Sequence, residues 1–320
     1  NSKEDMIGSW AAGGDRRTRP VTVLEGLQAR APKGVSVAYT KGARYNFDDA
    51  GKAKGFAEAL ALAQKSDVII AAMGEHWNMT GEAASRTSLD LPGNQQALLE
   101  ELKKVGKPIV LVLMSGRPNS IGWAEENVDA ILHAWYPGTQ GGHAIADVLF
   151  GDYNPSGKLP VTFPRNVGQV PIHYDMKNTG RPIELGAPGA KYVSRYLNTP
   201  NTPLYPFGYG LSYTSFTYSP VTLDRSKIRP GEPLTASVTV TNSGPRDGEE
   251  VVQLYVRDLV GSVTRPVKEL KGFQKIGQSL RPTQVLIFGN PKLGTPLIAA
   301  NQRIGLDLPL KALAWEDDKG

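Results

Sequence analysis

The chain has 320 residues, of which 40% are hydrophobic and 21% charged, a composition typical of globular proteins with room for two domains. It contains no cysteine, which excludes disulfides, thiolate metal sites and a cysteine nucleophile. The formal net charge of +5 is spread along the chain without a basic cluster among aromatics, and no apolar run reaches membrane-spanning length, so neither a nucleic-acid nor a membrane partner is predicted.

The first residues of the chain resemble the interior of a domain sequence. The string NSKEDMIGSWAAGG has no apolar core after a basic start, so it does not resemble a signal peptide. Residues 6–10 predict a loop that follows a strand absent from the sequence. We therefore expect the chain to be truncated at its front, with any export signal lost with the missing part.

Helical and strand patterns alternate in the first region of the chain. Residues 53–64 predict a helix with Phe56, Ala57, Leu60 and Ala63 on one face, and residues 94–105 predict a second with a stripe of Leu98, Leu99 and Leu102. Apolar runs predict three strands, the first of them buried on both faces, at 67–73, 108–114 and 130–135. This order predicts the α/β class, with a layered, mostly parallel sheet and flanking helices.

The stretch 134–165 combines several helix and turn signals. Gly138, Gly141 and Gly142 allow a tight turn after the third strand, and apolar residues then recur at helical spacing up to Phe150. Gly151 predicts the end of this helix, and the following Pro155-Ser156-Gly157 predicts a turn.

The pattern changes from about residue 212 onward. Residues 234–241 and 250–257 alternate with period two, and the turn cluster at 242–245 separates them. These segments predict a partial antiparallel β-sandwich. The string LYPFGYGLSYTSF at 204–216 joins the two regions.

The strings at 134–165, 204–216 and 265–273 resemble glycoside hydrolase family 3, the β-glucosidase group. The resemblance covers roughly residues 1–276 and corresponds to the C-terminal part of such enzymes. It implies an α/β sandwich domain at 1–198, a linker at 199–215 and a partial fibronectin-III-like β-sandwich at 216–280. It also implies a periplasmic or secreted location.

The tail, residues 281–320, departs from the family and resembles part of a small bacterial domain of unknown function. A sandwich without its last strands exposes an open edge. Residues 284–288 predict a strand and residues 291–301 a helix. The sequence leaves open whether they complete the sandwich.

The loop at 74–86, after the first predicted strand, carries the candidate chemistry. Open α/β sheets bind ligands at the carboxyl ends of their strands. The family resemblance implies that Glu82 is the general acid/base, which must be protonated at the glycosidic oxygen and ionised when it activates water. The alternative is a solvated carboxylate or a partner for Arg86. We interpret Glu75 as a hydrogen-bond anchor of the loop.

The same loop offers candidates for sugar binding, namely His76, Trp77 and Arg86. Aromatic faces stack on sugar rings, although Trp77 equally fits a role in packing of the loop. The resemblance implies a β-glucoside as ligand. The sequence has no metal-ligand spacing of histidines, no G-x-G-x-x-G and no Walker motif, so neither a metal nor a nucleotide cofactor is predicted.

A retaining glycosidase also needs a nucleophilic carboxylate about 5 Å from the acid/base. The resemblance places that aspartate in an N-terminal barrel, and these 320 residues contain no barrel sequence. We therefore expect a retaining glycosidase by family that is inactive on its own. A barrel domain in trans or a homo-oligomer is a possible partner.

Other residue patterns give weaker indications of function. Ser115 follows the second strand without a nucleophile-elbow motif, so a tight exit turn is favoured over an ester or lactone hydrolase. A non-catalytic carbohydrate-binding module stays open as a further alternative. The four histidines lack metal-ligand spacing, His133 is interpreted as a satisfied core residue, and residues 141–143 could hold an anion at a helix N-terminus.

Overall fold

The computed structural model describes residues 3–9, 19–50, 52–53, 55–183, 189–229, 231–278, 283–289, 304–308 and 311–315. The chain divides into two compact units. The first comprises Asn1–Tyr153 and Phe163–Val170, and the second comprises Asn154–Thr162 and Pro171–Gly320. The domain limits inferred from the sequence stay a prediction.

The first unit contains a parallel sheet and six helices among its described residues. Its strands are β1 (Ile69–Gly74), β2 (Ile109–Met114) and β3 (Ala130–His133), in the order β1-β2-β3. Its helices are α1 (Glu4–Ile7), α2 (Val23–Arg30), α3 (Phe56–Gln64), α4 (Gln95–Lys104), α5 (Gly122–Asn127) and α6 (Gly141–Phe150). The pairing of Gly74 with Met114 and of Leu113 with His133 puts all three carboxyl ends at one edge. The predicted α/β class is confirmed.

Strand β2 is the centre of this sheet, and its sequence explains why. Four of its residues, Ile109, Leu111, Val112 and Leu113, are fully buried. The predicted stripe Leu98, Leu99 and Leu102 of α4 is buried as well. Strand β2 and helix α4 are therefore confirmed from their apolar patterns.

Strand β1 does not match the prediction of a strand buried on both faces. Ala71 and Met73 are buried, whereas Ile70 and Ala72 are exposed. The reason is that only one face of β1 is covered within the described part of the chain. An apolar run alone does not distinguish one covered face from two.

Two further local predictions are corrected. Residues 4–7 form the short helix α1, with Met6 almost completely buried, where a loop was predicted. The buried face of α3 contains Phe56, Ala59 and Ala63, whereas Ala57 is exposed. Packing of the helix selects the i, i+3, i+7 face, and small alanines leave that choice undetermined in the sequence.

His133 at the end of β3 is not the satisfied core residue that the sequence indicated. Neither ring nitrogen has a hydrogen-bond partner among the described residues, and both are buried. The ring meets Trp135 edge-on at 4.1 Å and Phe163 at 5.1 Å between centroids. Because burial penalises the charged form, the pKa of His133 falls from 6.5 to about 4.

This burial predicts a pH dependence of stability. A histidine with a lowered pKa favours the folded state fully above pH 6.5, and the unfolded chain takes up the proton first as the pH falls toward about 4. At about 1.4 kcal/mol per pKa unit, the free energy of unfolding should fall by about 3 kcal/mol across this window. Urea unfolding of the wild type and of His133→Leu measures this, and the variant should lose about that much less. Equal losses in both proteins would rule the effect out.

The second unit is built from antiparallel strands. They are β4 (Phe216–Tyr218), β5 (Thr222–Leu223), β6 (Thr235–Asn242), β7 (Gly248–Asp258), β8 (Glu269–Gln278), β9 (Thr283–Gly289), β10 (Ile304–Leu308) and β11 (Lys311–Trp315). One sheet has the order β11-β10-β7-β8, and in the other β4, β5 and β9 all pair with β6. The predicted alternating strands are confirmed as β6 and β7.

The core of the second unit lies between these two sheets. Val238 and Val240 of β6 and Val252 and Leu254 of β7 are its buried centre. Every second residue of β6 faces this core, which is the alternation that predicted the strand.

The tail adds strands to both sheets. Strand β9 pairs with β6 from Thr235 to Thr241, and β10 pairs with β7 from Tyr255 to Asp258. The strand predicted at 284–288 is confirmed as β9. The helix predicted at 291–301 lies outside the described residues.

The segment 154–162 belongs to the second unit because of a buried polar network. The Lys158 ammonium lies 3.1 Å from a Glu250 carboxylate oxygen, and the Tyr218 hydroxyl donates to the other oxygen at 2.8 Å. Burial, followed by the negative charge of Glu250, raises the pKa of Tyr218 far above its ordinary value. The string at 134–165 is thus shared between the two units.

Candidate active site

The carboxyl edge of the parallel sheet gathers three exit loops. The β1 loop, residues 75–90, follows β1, while Ser115–Pro118 follows β2 and residues 134–137 follow β3. Parallel pairing puts these exits side by side, although they are far apart in sequence. Glu75 of the first exit, Arg117 of the second and Tyr136 of the third all contact the β1 loop.

Glu75 is the buried anchor of the β1 loop. Its carboxylate is completely buried, and the Arg86 guanidinium donates to it in a short contact. Arg117 Nε lies 3.0 Å from the same oxygen. A buried charge of this kind needs such partners, because its desolvation otherwise costs several kcal/mol. The proposed role of Glu75 as a hydrogen-bond anchor agrees with this geometry.

Arg117 also reaches beyond Glu75 to the loop backbone. Its Nη2 donates to the carbonyl oxygen of Met79 and, at 2.9 Å, to that of Ala84. These two carbonyls precede and follow Glu82 along the chain. One planar guanidinium therefore joins both sides of the turn that carries Glu82.

Tyr136, from the exit of β3, supports the loop from another side. Its hydroxyl accepts a hydrogen bond from Thr80 Oγ1 at 3.2 Å and donates to the His76 carbonyl at 3.4 Å. Burial, aided by the charges of Glu75 and Asp5, raises the pKa of Tyr136. The hydroxyl therefore keeps its proton and its donor role at neutral pH.

Glu82 lies at the tip of this anchored loop. It is exposed, and within the described part of the chain no hydrogen-bond or ion-pair partner contacts its carboxylate. Gly81 has a φ of 98° and Ala83 a φ of 57°, so left-handed residues flank it on both sides. A left-handed alanine costs about 1 kcal/mol, which the surrounding contacts must offset.

The idea that Glu82 pairs with Arg86 does not hold. Arg86 instead donates to Glu75 and, at 2.7 Å, to the Asp90 carbonyl, and its guanidinium lies 5.3 Å from the centre of the Phe47 ring. Its side chain is only 7% exposed. Arg86 therefore holds the loop from inside and leaves the carboxylate of Glu82 free for other contacts.

His76 and Trp77 lie on the same loop and are half-buried. The His76 ring stacks on Tyr45 at 4.6 Å between centroids and shares a 2.6 Å hydrogen bond with Asn78. The Trp77 ring lies 5.6 Å from the His76 ring, and its backbone N–H donates to Asp5 at 2.8 Å. Together with the exposed Phe47, which lies against Arg86, these rings form an aromatic surface on the loop that carries Glu82.

The sequence reasoning missed Arg117, Tyr136, Tyr45 and Phe47. A signal for the first two existed: they are the first charged residue after β2 and the tyrosine after β3, at the edge where Glu75 was already expected. Tyr45 and Phe47 precede α3 in a segment without a clear local pattern. Their approach to the loop depends on tertiary contacts.

The remaining candidates have structural roles. Ser115 is fully buried, and its hydroxyl donates to the Arg117 carbonyl at 2.6 Å, as an exit turn requires. The N–H groups of Gly141 and Gly142 donate to the carbonyls of Gly138 and Val21, so they are occupied. Among the described residues no three acidic or histidine side chains cluster as metal ligands, and no helix is long and apolar enough to cross a membrane.

Comparison with known proteins identifies two family models in the chain. Residues 1–213 match the glycosyl hydrolase family 3 C-terminal domain. Residues 265–320 match a domain of unknown function, DUF302. The resemblance of the tail to a different, uncharacterised domain is thereby confirmed, and the match extends upstream to include β8.

Curated relatives match most of the chain. A periplasmic β-glucosidase from Salmonella typhimurium is 47% identical over 299 residues, which cover 88% of this chain and 39% of that protein. A β-xylosidase from Formosa agariphila is 43% identical over 274 residues, covering 86% of this chain and 36% of that protein. The chain thus spans about two fifths of the length of these relatives.

Solved β-glucosidase structures also match most of this chain and less than half of their own length. The β-glucosidase from Listeria innocua in complex with glucose superposes with a TM-score of 0.85 at 32% identity, over 99% of this chain and 44% of that one. The β-glucosidase EmGH1 from Erythrobacter marinus superposes with a TM-score of 0.80 at 38% identity, over 92% and 43%.

Proposed function

Since the chain belongs to glycoside hydrolase family 3, we propose that it supplies the acid/base half of a β-glucosidase-type active site, with Glu82 as the acid/base carboxyl. The observation that carries this proposal is the exposed carboxylate of Glu82, which no hydrogen bond or ion pair engages among the described residues. It lies exposed on a turn whose base is fixed by Glu75, Arg86 and Arg117. A loop anchored so firmly behind an exposed carboxylate fits a group that must meet a bond in a defined position.

The reaction divides between two carboxyl groups. Glu82 protonates the glycosidic oxygen as the leaving group departs and then, as a carboxylate, takes a proton from the attacking water. The nucleophilic carboxylate, which retaining enzymes place about 5 Å away, comes in this proposal from outside the 320 residues. The match to a C-terminal domain model and the share of the relatives' length support this division.

The substrate class in this proposal is a β-linked glucoside. Relatives are named β-glucosidases or β-xylosidases. The Listeria innocua β-glucosidase was solved with glucose and, as a mutant, with laminaribiose, which favours the glucoside. His76 and Trp77, with Tyr45 and Phe47 beside them, supply aromatic faces for a sugar ring next to Glu82. Arg86 acts here mainly through Glu75, because its guanidinium is turned inward.

The second unit is inferred to be a fibronectin-III-like sandwich. Two antiparallel sheets with alternating inward residues and a shared apolar core support this assignment. Its contribution is that of a scaffold, since none of the acid/base candidates lies in it.

A non-catalytic carbohydrate-binding module is the second candidate function. The aromatic surface at Tyr45, Phe47 and Trp77 favours it, since rings of this kind bind sugars without a second carboxylate. A hydrolase that uses Ser115 is disfavoured, because that hydroxyl is buried and engaged.

The test is hydrolysis of an aryl β-glucoside. The purified 320-residue chain is expected to give no turnover above background. A chimera in which this chain replaces the matching C-terminal part of the Salmonella typhimurium β-glucosidase is expected to be active. In that chimera Glu82→Gln should lower kcat by about 10²- to 10⁴-fold, the usual contribution of a general acid/base.

A matched control is Glu58→Gln, which alters an exposed glutamate on α3 and should leave kcat unchanged. An active chimera that tolerates Glu82→Gln would overturn the acid/base assignment. Turnover by the chain alone that Glu82→Gln abolishes would show that the nucleophile lies within these residues. Glucoside binding to the chain without turnover in the chimera would favour the binding module.

A further inference from the structure

We propose that Arg117 is a positioning residue that holds the Glu82 turn in its presenting conformation. The proposal rests on the proposed acid/base role of Glu82. It concerns a residue of the β2 exit, far from Glu82 in sequence, that does not itself contact a substrate.

The donors of Arg117 are shared between an anchor and the turn. Nε donates to Oε2 of Glu75 at 3.2 Å and lies 3.0 Å from Oε1 of the same carboxylate. Nη2 donates to the carbonyls of Met79 and Ala84. Glu75 follows β1 directly and is completely buried, so it is a fixed point of the sheet. Arg117 therefore links the turn to the sheet, because its charged guanidinium donates to the Glu75 carboxylate on one side and to backbone carbonyls of the turn on the other.

The turn has little support of its own. Glu82 and Ala83 are the central residues of one hydrogen-bonded turn, and residues 80–85 belong to no helix or strand. The left-handed Ala83 is moreover a conformation that the chain leaves readily without constraint. The guanidinium thus adds to this single turn the connection across its base that paired strands would provide in a hairpin.

A role of Arg117 as a counter-ion of Glu75 alone predicts a different effect of its loss. If Arg117 served only as a counter-ion of Glu75, its loss would destabilise the sheet end generally, because Glu75 lies at the end of β1. If it positions the turn, the effect is confined to residues 79–84. The two roles are distinguishable with a probe on the turn and probes in the core.

The five methionines provide these probes. Met79 ends the 3₁₀-helix Trp77–Met79 directly before the turn, and its carbonyl accepts from Arg117. Met6 and Met73 lie buried in the first unit, and Met176 lies in the second. Methyl-¹³C methionine NMR of the full chain reports each of them separately. In Arg117→Ala, we expect the Met79 signal to shift toward the position of an unstructured methionine while those of Met6, Met73 and Met176 stay in place. Guanidinium ion at millimolar concentration should restore the Met79 signal.

Cleavage by a glutamate-specific protease measures how much Arg117 stabilises the closed turn. Cutting after Glu82 requires the turn to open, so Arg117→Ala should be cut there about ten- to a hundredfold faster than the wild type, which is the factor that hydrogen bonds of a charged donor represent. The matched control is Arg30→Ala, which removes an arginine paired with Asp147 in the same unit and should leave this rate unchanged.

Two results would overturn the proposal. One is an unchanged rate of cleavage after Glu82 in Arg117→Ala. The other is a shift of the Met6 and Met73 signals together with Met79, which would make the role a general structural one. If Arg117→Ala does not fold, Arg117→Lys replaces it, because lysine keeps the charge but lacks the planar fork, and a wild-type rate in that variant would equally overturn the proposal. None of these readouts needs turnover or sugar binding, so they stand apart from the test of Glu82.

Discussion

Ending the chain after Gln278 is expected to unfold the second unit at room temperature. The deletion removes β9, which pairs with β6 at every position from Thr235 to Thr241, and β10, which pairs with β7. Each lost backbone hydrogen bond costs about 0.5–1.5 kcal/mol net, and domains are stable by only about 5–15 kcal/mol. The lost ladder therefore approaches or exceeds the whole stability of the unit.

Near-ultraviolet circular dichroism during thermal unfolding measures this effect. The matched control is a chain that ends at Trp315, which keeps all the described strands and should melt like the full chain. A chain ending at Gln278 with the melting temperature of the full protein would show that the tail is not part of the folded sandwich. The DUF302-like segment would then have no structural role in this unit.

Gly142→Ala is expected to lower the free energy of unfolding by about 3 kcal/mol or more. Helices α2 and α6 touch backbone to backbone, and an alanine Cβ at residue 142 would lie 2.1 Å from the Thr22 carbonyl oxygen and 2.6 Å from that of Val21. Backbone atoms cannot rotate away, and Gly142 also donates to the Val21 carbonyl at 3.1 Å. The gain in helix propensity, about 1 kcal/mol, is smaller than the cost of this clash.

Urea unfolding of Gly142→Ala beside Gly122→Ala tests this estimate. Gly122 begins α5 and has no heavy atom within 4 Å of an added Cβ, so its substitution should change stability by less than about 1 kcal/mol. Similar stabilities of the two variants would contradict the close helix contact.

Much of the fold could be predicted from local patterns. The apolar run of β2, the leucine stripe of α4 and the period-two alternation of β6 all match the structure. Gly151 ends α6 in the left-handed conformation, as its position indicated. Such signals succeed because periodicity and capping depend on residues within a few positions of each other.

Predictions that depended on residues distant in the sequence were less successful. The apolar run of β1 did not reveal that Ile70 and Ala72 are exposed, and the sequence did not show that His133 lacks a hydrogen-bond partner among the described residues. The alanines of α3 left its buried face undetermined. In each case the missing information is which element lies opposite, and no local pattern contains it.

The same division holds for the candidate site. The family resemblance of the sequence by itself singled out Glu82, and the position of the loop after a strand indicated Glu75 as its anchor. Only the tertiary structure brought Arg117 and Tyr136 to that loop and engaged Arg86 with Glu75 instead of Glu82. The physical reason is the register of the parallel sheet. Pairing of Gly74 with Met114 and of Leu113 with His133 fixes three strand exits side by side, and that pairing is decided by hydrogen bonds between strands that are distant in the sequence.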